Sequence, residues 1–156
     1  MPFIPSFRSL TGSIILSLEP QEAFPLFSPK GEISWVPGWQ PELLYPQGAD
    51  WAEGQIFRTR EEYGEGLWVV ARLNPAEFYV RYNRFEPGRY VAIVEVGIIK
   101  VHNGSQVTVT YSFVGLSERG NKDIDGMSQS AYDEKLEHWS EWLIAHNAKH
   151  EKQKCT

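Results

Sequence analysis

The chain has 156 residues, enough to bury about two-thirds of its unfolded surface around one core but cramped for two domains. Its composition, 42% hydrophobic and 22% charged, excludes an intrinsically disordered chain and a membrane bundle. Fifteen Lys and Arg against twenty Asp and Glu leave a net charge of −5, which removes the cationic attraction behind most nucleic-acid affinity and argues against that partner class.

At the N-terminus, Ser9 to Leu18 reads as a strand. Its apolar run Ile14 to Leu16 is followed by Glu19 and Pro20 instead of small-residue cleavage chemistry, so no signal peptide is expected. Pro20 to Phe24 starts a short helix, with Pro at a tolerated first-turn position and Glu22 near the N-terminus. Pro25 and Pro29 keep it short. Gly31 to Asp50 is rich in Pro, Gly and Trp and reads as a brief strand around Ile33 to Val36 followed by an ordered loop.

The middle of the chain is a meander of five antiparallel strands. Gln55 to Glu62 passes through Gly64 and Gly66 into Leu67 to Leu73, and Asn74-Pro75 turns the chain into Glu77 to Phe85. Pro87-Gly88 leads into Tyr90 to Val101, and Asn103-Gly104, a strong hairpin signal, into Gln106 to Leu116. In the last strand Val107, Val109, Tyr111 and Phe113 alternate with Thr108, Thr110 and Ser112, giving one apolar and one wet face. The longest apolar stretch, Tyr90 to Val101, is broken by Glu95 and Lys100 and is shorter than the ~20 residues of a spanning helix, so no membrane span is expected.

The period then changes to 3.6. Tyr132, Leu136, Trp139, Leu143 and His146 fall on one stripe of a long amphipathic helix, which covers Gln129 to Ala145 and starts as early as Ser117 if Gly126 is a weak point and not a break. One domain is expected over residues 1–148, with 149–156 a polar, frayed tail. The single cysteine, Cys155, permits no intramolecular disulfide and no Cys-based metal cage, which suits a reducing, cytoplasmic setting.

A strand, a short helix, a meander and a long helix make an α+β arrangement in which the helix buries its stripe only by lying across the sheet's apolar face. The order of elements, with WVPGW at Trp35 to Trp39 and PELLYP at Pro41 to Pro46, resembles the START-like, or SRPBCC, superfamily. WVVARLNP at Trp68 to Pro75, VTVTYSFVGLSERGN at Val107 to Asn121 and HWSEW at His138 to Trp142 resemble bacterial members of that group. The resemblance implies a helix-grip fold, a curved antiparallel sheet wrapped around the C-terminal helix. It implies no particular reaction, because the superfamily holds ligand carriers, polyketide cyclases and dehydratases, lipid-transfer domains and chaperone regulators on one scaffold.

Other motifs weigh little. Asn121, Asp123, Asp125 and Gly126 match the first half of a calcium loop, but Tyr132 stands where a bidentate Glu belongs. Ser117 lacks the second Gly of a nucleophile elbow and suits a helix cap. His146 and His150 have i, i+4 spacing without a third ligand nearby in sequence. Asn103-Gly104-Ser105 fits the glycosylation pattern, but its turn role explains it better. No metal and no cofactor are expected.

The stronger candidates are polar tips on the sheet's apolar parity. If Phe78 and Val80 face the helix, the period of two sends Tyr82 and Arg84 the same way, near Tyr111. An inward Arg84 needs an anionic partner, from the protein or from a ligand. Trp68 and Trp139 are candidate walls, and Trp39 borders the cavity mouth if the resemblance holds. Three functions follow. The first is binding of a small hydrophobic, lipid-like or aromatic ligand between sheet and helix. The second is a cyclase or dehydratase reaction in the same cavity, and the third is protein binding through the Trp-rich loop. A homodimer is compatible with one chain's sequence.

Overall fold

The computed structural model describes residues 2–48, 50–61 and 64–154. Its sheet has seven strands, all pairs antiparallel: β1 (Phe7–Leu16), β2 (Glu42–Tyr45), β3 (Ile56–Glu61), β4 (Gly64–Asn74), β5 (Tyr79–Glu86), β6 (Tyr90–Val101) and β7 (Gly104–Gly115). The spatial order is β1-β7-β6-β5-β4-β3-β2, so the meander runs from one edge and β1 closes the other by pairing with β7. Helix α1 (Pro20–Ala23) and a 3-10 turn over Phe24–Phe27 follow β1. After the sheet come α2 (Glu118–Asp125) and α3 (Gln129–Lys154). This is the expected helix-grip α+β fold.

Alternation along each strand builds the two faces. Val107, Val109, Tyr111 and Phe113 are buried, as are Val94, Val96 and Ile98 on β6 and Val80 and Tyr82 on β5. The outward residues of β1 and β7 form a ladder of hydroxyls, with Ser9–Ser112 and Thr11–Thr110 at 3.0 Å and Ser13–Thr108 at 3.3 Å. Such pairs satisfy one another across a wet face. Asn103 adopts a left-handed φ of 62°, so the β6–β7 turn centres on His102-Asn103 and Gly104 opens the next strand, one residue earlier than the Asn-Gly signal suggests.

α3 seats its stripe over the β1 edge. Tyr132, Leu136 and Leu143 are buried, and the Tyr132 hydroxyl donates to the Val109 carbonyl at 2.5 Å. Gly12 on β1 allows this approach: a Cβ there would stand 2.5 Å from Leu136 Cδ1. Ser117 does cap α2, accepting from the Gly120 amide at 3.0 Å. Gly126 separates α2 from α3.

Three expectations change. The brief strand around Ile33 to Val36 is a 3-10 turn over Gly31–Ser34, with the Trp35 and Val36 amides both donating to the Glu32 carbonyl. Ile33 is exposed, so its apolar character did not signal a buried strand. The following loop contains edge strand β2, fastened to β3 by an Arg58–Glu42 ion pair at 2.7 Å. At the other end α3 runs on to Lys154, beyond the expected Gln129 to Ala145, with exposed side chains from Lys149 through Lys152. Glu62 of the expected third strand, and Cys155 with its setting, lie outside the described residues. No described helix is long and apolar enough to cross a membrane.

Candidate functional site

Because α3 covers the β1 side, the concave face over β3 to β6 is roofed more loosely, and a cavity of about 260 Å³ lies there. Two cross-strand rows contribute to its floor, through Phe57, Trp68 and Arg84 of one and Tyr82, Val94 and Tyr111 of the other. Phe57, Trp68, Arg84, Ala92 and Phe113 are register partners from β3 to β7. Val70, Tyr82, Val94 and Tyr111 make the neighbouring row. Phe57 stacks on Trp68 with ring centroids 5.4 Å apart, and Tyr82 meets Trp68 edge-on at 5.9 Å. Ala92, the Arg84 partner on β6, is fully buried.

The roof is aromatic too. Trp139 of α3 packs edge-on to Trp35 at 5.7 Å and faces Tyr111 at 6.5 Å. Trp39 is half-buried, edge-on to Trp68 at 5.7 Å, and its indole N–H donates to the Pro29 carbonyl at 2.8 Å. It also borders a separate, polar hollow of about 610 Å³ where Glu42 and Arg58 are already paired, so its ring stands between hollow and cavity. Trp39 therefore packs into the cavity wall and does not project as an exposed patch.

Four polar groups reach the cavity. The Tyr82 hydroxyl donates to the Phe27 carbonyl at 2.8 Å; burial pushes the phenol well up, and the nearby Glu32 charge adds to this. Glu32, on the 3-10 turn, is the only acidic side chain among the described lining residues. Burial holds its carboxyl well above the ordinary 4.5, while the Lys135 charge pulls it back. Lys135 Nζ lies 4.0 Å from the Tyr111 ring centroid and 5.6 Å from that of Trp139, a double cation–π contact.

Arg84 is the fourth. Its guanidinium carbon stands 5.2 Å from the Trp68 ring centroid and 5.9 Å from that of Tyr90. Its Nε is buried without a hydrogen-bond partner. Glu86 is 3.8 Å from that nitrogen, beyond hydrogen-bond length, and gives its other oxygen to Arg89 at 3.0 Å. Arg89 in turn holds Asp123 at 2.8 Å.

The six side chains singled out in the sequence, Trp39, Trp68, Tyr82, Arg84, Tyr111 and Trp139, all line this one cavity. Glu32 and Lys135 were missed. Lys135 had a faint signal, standing three residues after Tyr132 and four before Trp139 beside the buried stripe. Glu32 had none, because a loop without periodicity does not declare which way a carboxyl points.

The weaker motifs resolve into structure. Asn121 accepts from the Ser6 amide at 2.7 Å and donates to the Ile4 carbonyl at 2.9 Å, so with Asp123 it ties down the N-terminus and Arg89 instead of forming a calcium loop. His146 and His150 lie 5.5 Å apart, ring to ring, and no metal-ligand cluster occurs among the described residues.

The sequence matches no protein-family profile and no curated protein. Solved structures are similar in shape. Protein MLL2253 from Mesorhizobium loti is 14% identical, with a TM-score of 0.63 over 88% of this chain and 98% of that one. Norcoclaurine synthase from Thalictrum flavum, in complex with dopamine and hydroxybenzaldehyde, is 10% identical with a TM-score of 0.65, covering 91% and 89%. Major latex-like protein 151 from Panax ginseng is 12% identical with a TM-score of 0.68, covering 90% and 97%. From the strand order, the gripped C-terminal helix and this likeness over nearly the whole chain, the chain has the helix-grip fold of these solved structures.

Proposed function

We propose that this protein binds a small, largely apolar, aromatic or lipid-like molecule in the cavity between the sheet and α3. The observation that carries the reading is the wall: Trp39, Phe57, Trp68, Tyr111 and Trp139 surround about 260 Å³ of space, with Glu32, Arg84 and Lys135 as polar tips. Apolar walls supply affinity and a few polar groups supply orientation. The similar structure solved with dopamine and hydroxybenzaldehyde supports the reading by analogy of fold. A cytoplasmic setting, suggested by cysteine usage, belongs to the same proposal.

Calorimetric titration with 2-naphthol tests it. Saturable, one-to-one binding is expected, and it disappears in Val94→Trp, which fills the cavity floor. Val96→Phe is the milder filling variant. Binding that survives in folded samples of both variants would move the ligand out of this cavity.

Glu32 favours a second reading, a cyclase- or dehydratase-type reaction in the same space. A carboxyl held above its ordinary range, near the Tyr82 phenol and the Lys135 cation, has the make-up of a proton donor to a carbonyl ligand. In that case Glu32→Gln keeps ligand binding and loses turnover. The third reading, a regulator docking partners through the Trp-rich loop, has less support, because the half-buried Trp39 ring packs on Trp68.

A further inference from the structure

Resting on the binding reading above, we infer that the cavity's ligand is a flat aromatic oxyanion, such as an aryl carboxylate, whose acidic head is accepted by Arg84 while its rings lie among Trp68, Tyr82 and Tyr111. A guanidinium brings five N–H donors and cannot shed its charge, so enclosing it without acceptors is costly. Arg84 is only partly answered: its side chain is 13% exposed, its Nε donates no hydrogen bond, and its ion-pair partner Glu86, 3.8 Å away, is shared with Arg89. The aromatic contacts with Trp68 and Tyr90 offset part of the cost but accept no N–H in the plane of the guanidinium.

The rest of the cavity has the same sign. Lys135 adds a second cation above Tyr111, and Glu32 is the only described acid on the wall. Burial favours the proton-bearing form of that acid, which leaves the cations in excess and lets Glu32 donate to an oxyanion where a carboxylate would repel it. Neutral hydrocarbons of the same size would fill the space and leave the Arg84 Nε without an acceptor.

The test compares naphthalene-2-carboxylate with the neutral naphthalene-2-carboxamide by calorimetry at neutral pH. The carboxylate is expected to bind at least about tenfold more tightly, in keeping with a charge-assisted bidentate contact. In Arg84→Gln that preference falls to about twofold or less, chiefly through lost carboxylate affinity, while an unchanged circular-dichroism spectrum and cooperative melting report an intact fold. Arg84→Lys, which keeps the charge and loses the fork, retains part of the preference. Equal affinities for the two probes in the unaltered protein would overturn the anion inference and leave the binding reading standing, whether or not the variants fold. A preference undiminished in Arg84→Gln would overturn it as well. Absence of binding by either probe, and by 2-naphthol, would overturn both.

Discussion

Trp68 and Arg84 are direct partners across β4 and β5, and the guanidinium carbon lies 5.2 Å from the indole centroid. The pair places a cation on an aromatic wall, midway along a row that begins with Phe57 and ends with Phe113. Strand parity alone produces this: once Val80 is inward, Tyr82 and Arg84 follow, and the register brings Trp68 alongside.

Trp68 also supports the wall, because its indole N–H donates to the buried Thr59 hydroxyl at 2.9 Å. Trp68→Phe keeps a ring to stack on Phe57 and loses that hydrogen bond. A destabilisation of about 1–2 kcal/mol is expected in urea unfolding, whereas Trp68→Ala is expected to cost about 3–5 kcal/mol.

Glu32 makes stability depend on pH in a direction that can be worked out. Its folded carboxyl holds the proton above the ordinary 4.5, with burial raising it and Lys135 of α3 opposing, while Tyr82 of β5 faces it without a charge of its own. The unfolded chain therefore releases this proton first as pH rises. The contribution is fully present below about 4.5 and is lost as pH climbs through the folded value. Glu32→Gln is expected to melt higher than the parent at neutral pH and to match it near pH 4, about where the unfolded carboxyl titrates. A variant less stable than the parent at neutral pH would show that Glu32 is held charged by Lys135.

Trp39 separates the cavity from the polar hollow beside Glu42 and Arg58. Trp39→Ala removes that partition, so association and dissociation of 2-naphthol are both expected to quicken by severalfold in stopped-flow fluorescence, with affinity falling less than either rate rises. Unchanged rates would mean that ligand enters elsewhere.

The seat of α3 sets the height of the roof. In Gly12→Val the added methyls meet Leu136 and Tyr132, whose atoms already stand 2.5 and 3.5 Å from an added Cβ. A loss of about 1–3 kcal/mol is expected on unfolding, together with weaker binding as α3 is lifted from β1.

How much of this was legible depended on periodicity. Alternation in Val107 to Phe113 and the turn signals between strands fix the meander, and the 3.6 stripe from Tyr132 to Leu143 fixes α3. The same alternation placed Tyr82 and Arg84 on the inner face. Between Gly31 and Asp50 no period exists: Ile33 suggested a strand where the Glu32 carbonyl gathers a 3-10 turn, and β2 is too short and too exposed to announce itself. Glu32 lay hidden in that stretch. Lys135 was obscured differently, since a lysine flanking an apolar stripe ordinarily points to water, and only the packed helix shows its ammonium over Tyr111.

Binding of an aromatic ligand in the space between the sheet and α3 has a direct spectroscopic signature. Following the six indole N–H signals by two-dimensional NMR while adding naphthalene-2-carboxylate tests it most directly. Saturable shifts are expected, largest at Trp39, Trp68 and Trp139 on the cavity wall and small at Trp51, which lies outside it. No saturable shift, or shifts concentrated at Trp51, would contradict binding there.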